Sequence, residues 1–157
     1  MDFTDSLVSL GLGISFFLFS VIMLFLLYFV NAILLYKIGK NRNDEYTWIP
    51  FVPFINQFYV PYLIKDQTDK MFQGKFMLIY IASTVLTFIP YIGFMFAFVY
   101  LALAFYSFLI LFRDYSDKYI AHSVILVLSF GFSYYISLFR FRNRKPKFIG
   151  LENNYDY

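Results

Sequence analysis

The chain of 157 residues contains no cysteine and a single histidine, His122. The first absence removes disulfides, thiolate metal sites and cysteine nucleophiles, and the second removes any site built from two imidazoles within one chain. Charge is scarce as well. Only 15% of the residues are Asp, Glu, Lys or Arg, against roughly 25% in soluble domains, and none lies between Phe76 and Phe112. With no carboxylate pair, histidine cluster or thiol in any apolar block, no enzymatic activity, metal or cofactor is expected. Met1 to Asp5 carries two acidic residues and no basic one, the wrong start for a cleavable signal peptide. The net charge of +3 is concentrated near the end of the chain and does not imply nucleic acid.

Apolar side chains dominate instead: 61% of the residues are hydrophobic and 25% aromatic. The charges are gathered into short clusters between apolar blocks, as expected where lipid is the solvent for most side chains. The expected fold is an all-α integral membrane protein, a small bundle of about three to five transmembrane helices. Residues 1–147 form one domain, with apolar segments 7–36, 48–64, 76–89, 94–112 and 119–139, and a mobile polar tail follows at 148–157.

The central stretch 76–112 would reach about 55 Å as one straight helix, against a hydrocarbon core of about 30 Å. Pro90 and Gly93 supply the break, the first by its missing N–H and the second by its tolerance of positive φ. This gives a hairpin or, as the alternative, one kinked helix. The segment 48–64 carries Pro50, Pro53 and Pro61, so a regular helix is not expected across it. It either spans or is re-entrant, with Trp48 as an interfacial anchor.

Several polar residues stand out against this background. Asn56 and Gln57 are either polar groups of a binding or conduction site or caps of an interrupted helix. Ser129, Ser133 and Ser137 recur every four residues, with Gly131 nearby, marking a face for close helix approach. His122 is either a proton-relay group or a ring that reaches the interface. Asn31 is expected to make an interhelical contact. Lys65–Lys75 and Arg113–Lys118 read as a connector and a solvated turn. Arg140, Arg142, Arg144, Lys145 and Lys147 follow the last apolar segment directly and are expected to contact anionic lipid headgroups.

Both basic clusters, Lys37–Arg42 and Arg140–Lys147, belong in the cytoplasm under the positive-inside bias. The amino terminus is then outside, the carboxyl terminus inside and the number of crossings odd. Five follow if 48–64 spans and 76–112 is a hairpin, with Tyr91 then at the cytoplasmic surface; three follow if 48–64 is re-entrant and 76–112 crosses once. Five is the preferred count.

The stretches Trp48-Ile-Pro-Phe-Val-Pro53-Phe-Ile-Asn56 and Phe88-Ile-Pro90-Tyr-Ile-Gly93 form a degenerate internal repeat. In this the chain resembles an uncharacterised family of small multi-spanning bacterial membrane proteins whose segments carry a Trp and then Ile-Pro-x-x-Asn, over about residues 36–139. The second unit departs from the pattern, with Gly93 in place of Asn. The resemblance implies a bacterial cytoplasmic membrane and no particular activity. The expected function is that of a non-enzymatic accessory or scaffold protein binding another membrane protein, a peptide or lipid, or self-associating. The alternatives are a small transporter or channel subunit, with broken helices forming its path, and an immunity or holin-like protein.

Overall fold

The computed structural model describes residues 3–129 and 131–147, and these are helical with no strand among them. The expected tail at 148–157 lies outside the described residues. Helix α1, Phe3–Asn41, is free of proline and rich in Leu, Phe and Ile. Asn43 ends it by adopting a positive φ of 57°. The Asn43 N–H then bonds the Lys40 carbonyl and the Asp44 N–H that of Gly39, the paired capping pattern of a left-handed C-terminal residue.

The proline-rich segment is broken and folds back on itself. It runs through 3-10 turns at Ile49–Phe51 and Asn56–Phe58 and then helix α2, Tyr59–Leu63. Pro50 and Pro61 fall in the first turns of their helices, where an N–H has no intrahelical partner to lose. Phe54, at φ 65°, reverses the chain. Thr47 and Tyr59, on either side of the reversal, both lie against Gly39. The middle lies farther along α1, where the Tyr28 hydroxyl donates to the Pro50 carbonyl and Pro53 faces Val21, Leu24 and Phe25. The segment leaves one end of α1 and comes back to it.

Helix α3, Lys65–Phe72, leads into α4, Phe76–Leu86, and α5, Gly93–Tyr115. The last two are antiparallel, since Phe76 meets Tyr106 at 6.2 Å and Tyr80 meets Tyr100 at 5.4 Å between ring centroids. The reversal uses Pro90, then Tyr91 at φ 68°, then Gly93, whose N–H bonds the Ile89 carbonyl at 2.8 Å. A Cβ on Gly93 would collide with the Thr87 carbonyl, so the turn requires glycine there.

The stretch 119–139, expected to be one continuous helix, is two: α6, Tyr119–Leu128, and α7, Phe132–Phe141. His122 and Phe141 are 5.5 Å apart between centroids, whereas in a straight helix they would be separated by about 28 Å. Gly131, at φ 90°, supplies the reversal, and its N–H bonds the Leu126 carbonyl. The hydroxyl of Ser129 accepts the Ser133 N–H at the start of α7.

Each excursion therefore returns to one end of the bundle. Arg42, Gln67 and Asp114 meet there, and the Lys147 N–H bonds the Asp114 carbonyl at 2.8 Å. Five alternating crossings would separate 42–47 from 64–75, whereas Arg42 and Gln67 meet on the same carboxylate. Tyr91 sits at the other end, fully exposed at the tip of the α4–α5 hairpin. The core lies on the polar half and contains Leu35 and Ile38 of α1, Tyr59, Phe76, Phe112 and Phe141. Two helices, α1 from Leu10 and α5, are long and apolar enough to cross a membrane by length and composition.

Candidate functional site

The polar end is built around Asp114. On α5 it follows Ser107 and Leu111 at helical spacing, and all three are buried. The carboxylate is inaccessible, and its Oδ2 accepts hydrogen bonds from Arg42 Nη1 and Gln67 Nε2, both at 2.7 Å. Gln67 Oε1 in turn accepts from Arg113 Nη2 at 3.0 Å. Ionised donors and acceptors make such bonds shorter and stronger than neutral ones. Oδ1 of Asp114 and the hydroxyl of Tyr115 are buried without a protein partner.

The carboxyl-terminal segment is tied to the same knot. Asn41 Nδ2 donates to the carbonyls of Arg142 at 2.7 Å and Arg144 at 3.2 Å. Lys147 pairs with Asp117 and holds that exposed carboxylate below its ordinary value of 3.8. The ends of α1, α3 and α5 are thus joined through one buried carboxylate, and the segment after α7 is tied beside it through Asn41, Asp117 and the Asp114 carbonyl. A cleft of about 410 Å³ opens beside it, bounded by Arg42, Asp44, Glu45, Tyr62, Lys65 and Asp66. Its wall is fixed by the Tyr59 hydroxyl, which donates to Asp44 Oδ2 at 2.6 Å. Gly39 makes room for that hydroxyl, since a Cβ would overlap it. The Lys65 ammonium lies 4.4 Å from the centroid of the Tyr62 ring. The arrangement holds and spaces charges, and among the described residues no His/Asp/Glu group is grouped to hold a metal.

The residues singled out from sequence are scattered. Asn56 is half-buried and Gln57 exposed on the proline-rich segment. The residues that precede the 3-10 turn and α2 are Ile55 and Phe58, and neither helix has a side-chain cap. His122 lies edge-on to Phe112 and Phe141, and the charges acting on it are the guanidinium groups of Arg140 and Arg144. Ser133 and Ser137 are buried on α7, whereas Ser129 belongs to the turn, so the three serines do not form one stripe on one helix. Asn31 accepts the Tyr134 hydroxyl at 3.0 Å, a bond between α1 and α7. Among the basic residues, Arg140, Arg144 and Lys145 are exposed, Arg142 lies 3.6 Å from the Phe139 ring centroid, and Lys147 is paired.

Asp114, Arg42 and Gln67 were indistinguishable from loop charges by composition. The available signal was the spacing of Ser107, Leu111 and Asp114, which continues the helix face of the preceding apolar run into the charged stretch. No family model matches the chain, and no curated protein or solved structure matches it.

Proposed function

We propose that this chain is a non-enzymatic integral membrane protein of the accessory or scaffold type, multi-pass in a bacterial cytoplasmic membrane, that binds another membrane protein. The observation that carries this reading is the division of the molecule into two halves. At one end lies the buried Arg42–Asp114–Gln67 knot with the basic segments around it. Away from it α1 is exposed at nearly every large side chain from Val8 to Val30, and the hairpin tips end in Phe54, Phe88, Leu128 and Phe132, each exposed. Water-soluble monomers rarely present contiguous apolar patches beyond a few hundred Å², and lipid or a membrane partner satisfies such a surface. Lys37, Lys40 and Arg140–Lys147 belong to the polar end, which the positive-inside bias assigns to the cytoplasm, with the start of α1 outside.

A transport path is less well supported. The buried hydroxyls of Ser83, Ser107 and Ser123 donate to carbonyls four residues back in their own helices, leaving no polar file along the apolar half. The bare half of α1 is the surface assigned to the partner. A photo-reactive phenylalanine analogue at Phe16 tests this in intact cells. One discrete protein adduct from Phe16 and none from Val127 on α6 is expected. Adducts with lipid alone would overturn the scaffold reading, and solute flux through the pure protein in vesicles would favour the transporter.

A further inference from the structure

We propose that the cleft at the polar end is a binding site for a small aliphatic diamine, whose two ammonium groups are held by the carboxylates of Asp44, Glu45 and Asp66. The inference goes beyond the accessory reading above and does not rest on it. The cleft lies between the end of α1 and the start of α3 and has a volume of about 410 Å³, within the range of about 300–1,000 Å³ usual for small-molecule sites. Its charge is unbalanced. Arg42, on its wall, is already neutralised by the buried carboxylate of Asp114. That leaves Asp44, Glu45 and Asp66 against the one ammonium of Lys65, three negative charges less one positive, an excess of two. Among the described residues none of these three carboxylates is in an ion pair. Such a cleft repels an anion. It does not suit a metal ion either, because the three acids are not grouped closely enough to hold one, and a compact divalent ion needs its oxygen ligands within about 2.0–2.6 Å. Two ammonium groups on a flexible chain match both the spacing and the excess charge.

A second observation points to an ammonium ligand. The cleft already holds one such group, Lys65 Nζ, 4.4 Å from the centroid of the Tyr62 ring, where an aromatic face attracts a cation. Among the described residues it forms no ion pair with the neighbouring acids. Tyr46 supplies a further ring, crossing that of Tyr62 at 84° with centroids 5.9 Å apart. The walls are set in advance. The Tyr59 hydroxyl fixes Asp44 at 2.6 Å, and its ring stacks with that of Tyr62 at 6.1 Å, which lowers the cost of ordering the site around a ligand. Lys65 is then an internal competitor for the place that a ligand's ammonium group would take.

The test is calorimetric titration of the full chain in a non-ionic detergent at low ionic strength, with putrescine as the probe and n-butylamine and magnesium chloride as comparisons. Putrescine should bind about fivefold or more tightly than n-butylamine, and magnesium should not displace it at equal concentration. Glu45→Gln and Asp66→Asn should each weaken putrescine by about three- to fivefold, the scale of an exposed ion pair. Lys65→Gln should tighten it by a similar factor. These opposite signs separate a built site from a loss of fold, which Trp48 fluorescence during denaturant unfolding monitors independently. Absence of putrescine binding, magnesium binding as tight as that of putrescine, or one affinity shared by Lys65→Gln and Asp66→Asn would overturn the diamine site.

Discussion

Replacing Arg42 by Met should destabilise the bundle by about 3–5 kcal/mol, because it leaves an inaccessible carboxylate with Gln67 as its only side-chain donor. The size of the effect follows from burial rather than from the ion pair as such. The Asp114 side chain is 0% accessible and that of Arg42 only 11%, so the lost guanidinium leaves the carboxylate largely shielded from water. An exposed pair of the same length would contribute about 0–1 kcal/mol. Asp114→Leu alone should cost a comparable amount by stranding Arg42. The double variant Arg42→Met, Asp114→Leu removes both charges and should recover most of the loss, short of the about 1 kcal/mol for the bond Gln67 no longer makes. The assay is denaturant unfolding in mild detergent, followed by the fluorescence of Trp48 and closed as a double-mutant cycle. Two single variants that each cost under about 1 kcal/mol and simply add would refute the buried knot as the fastening of the polar end.

Gly39→Ala should lower stability by about 1–3 kcal/mol by displacing the Tyr59 hydroxyl from Asp44, whereas Gly11→Ala, facing open space, should cost nothing in the same unfolding assay. Ser133→Leu should impair folding, measured as detergent-resistant yield, while Val127→Leu should not, because Ser133 is buried and Val127 is 59% exposed. The Asp117–Lys147 pair lowers the folded-state value of the carboxylate, so its contribution is present above 3.8 and lost as the pH falls below it. Asp117→Asn should therefore remove part of the acid-side loss of stability in a pH series; an unchanged slope would contradict the pairing.

Much of the helical content was legible because its causes are local. Pro90 and Gly93 announce the α4–α5 reversal through a missing N–H and a missing Cβ, and the three prolines of 48–64 announce a broken segment. The reversal at Gly131 was hidden. Glycine is common inside membrane helices, and the residues around it are as apolar as those of a spanning helix, so hydropathy and the four-residue serine spacing both favoured continuity. What reveals the turn is long-range: the contact of His122 with Phe141 and the strapping of the last segment to Asn41 and Asp114. The same holds for the site. Asp114 looks like a surface charge until Arg42 and Gln67 are brought to it from 72 and 47 residues away. Alternating charge clusters do not reveal that the segment 48–64 and the pair α6–α7 return to the end of the bundle they left.

That return is the centre of the account, and α6–α7 tests it most directly. Lys118 and Asn143 flank this hairpin and are both exposed, so Lys118→Cys and Asn143→Cys can be probed with an impermeant thiol reagent in intact cells and in inverted vesicles. Both should react from the cytoplasmic side and be protected from outside; reaction of Lys118→Cys from the outside with Asn143→Cys reactive only from the cytoplasm would show that 119–141 crosses the membrane and would contradict the account.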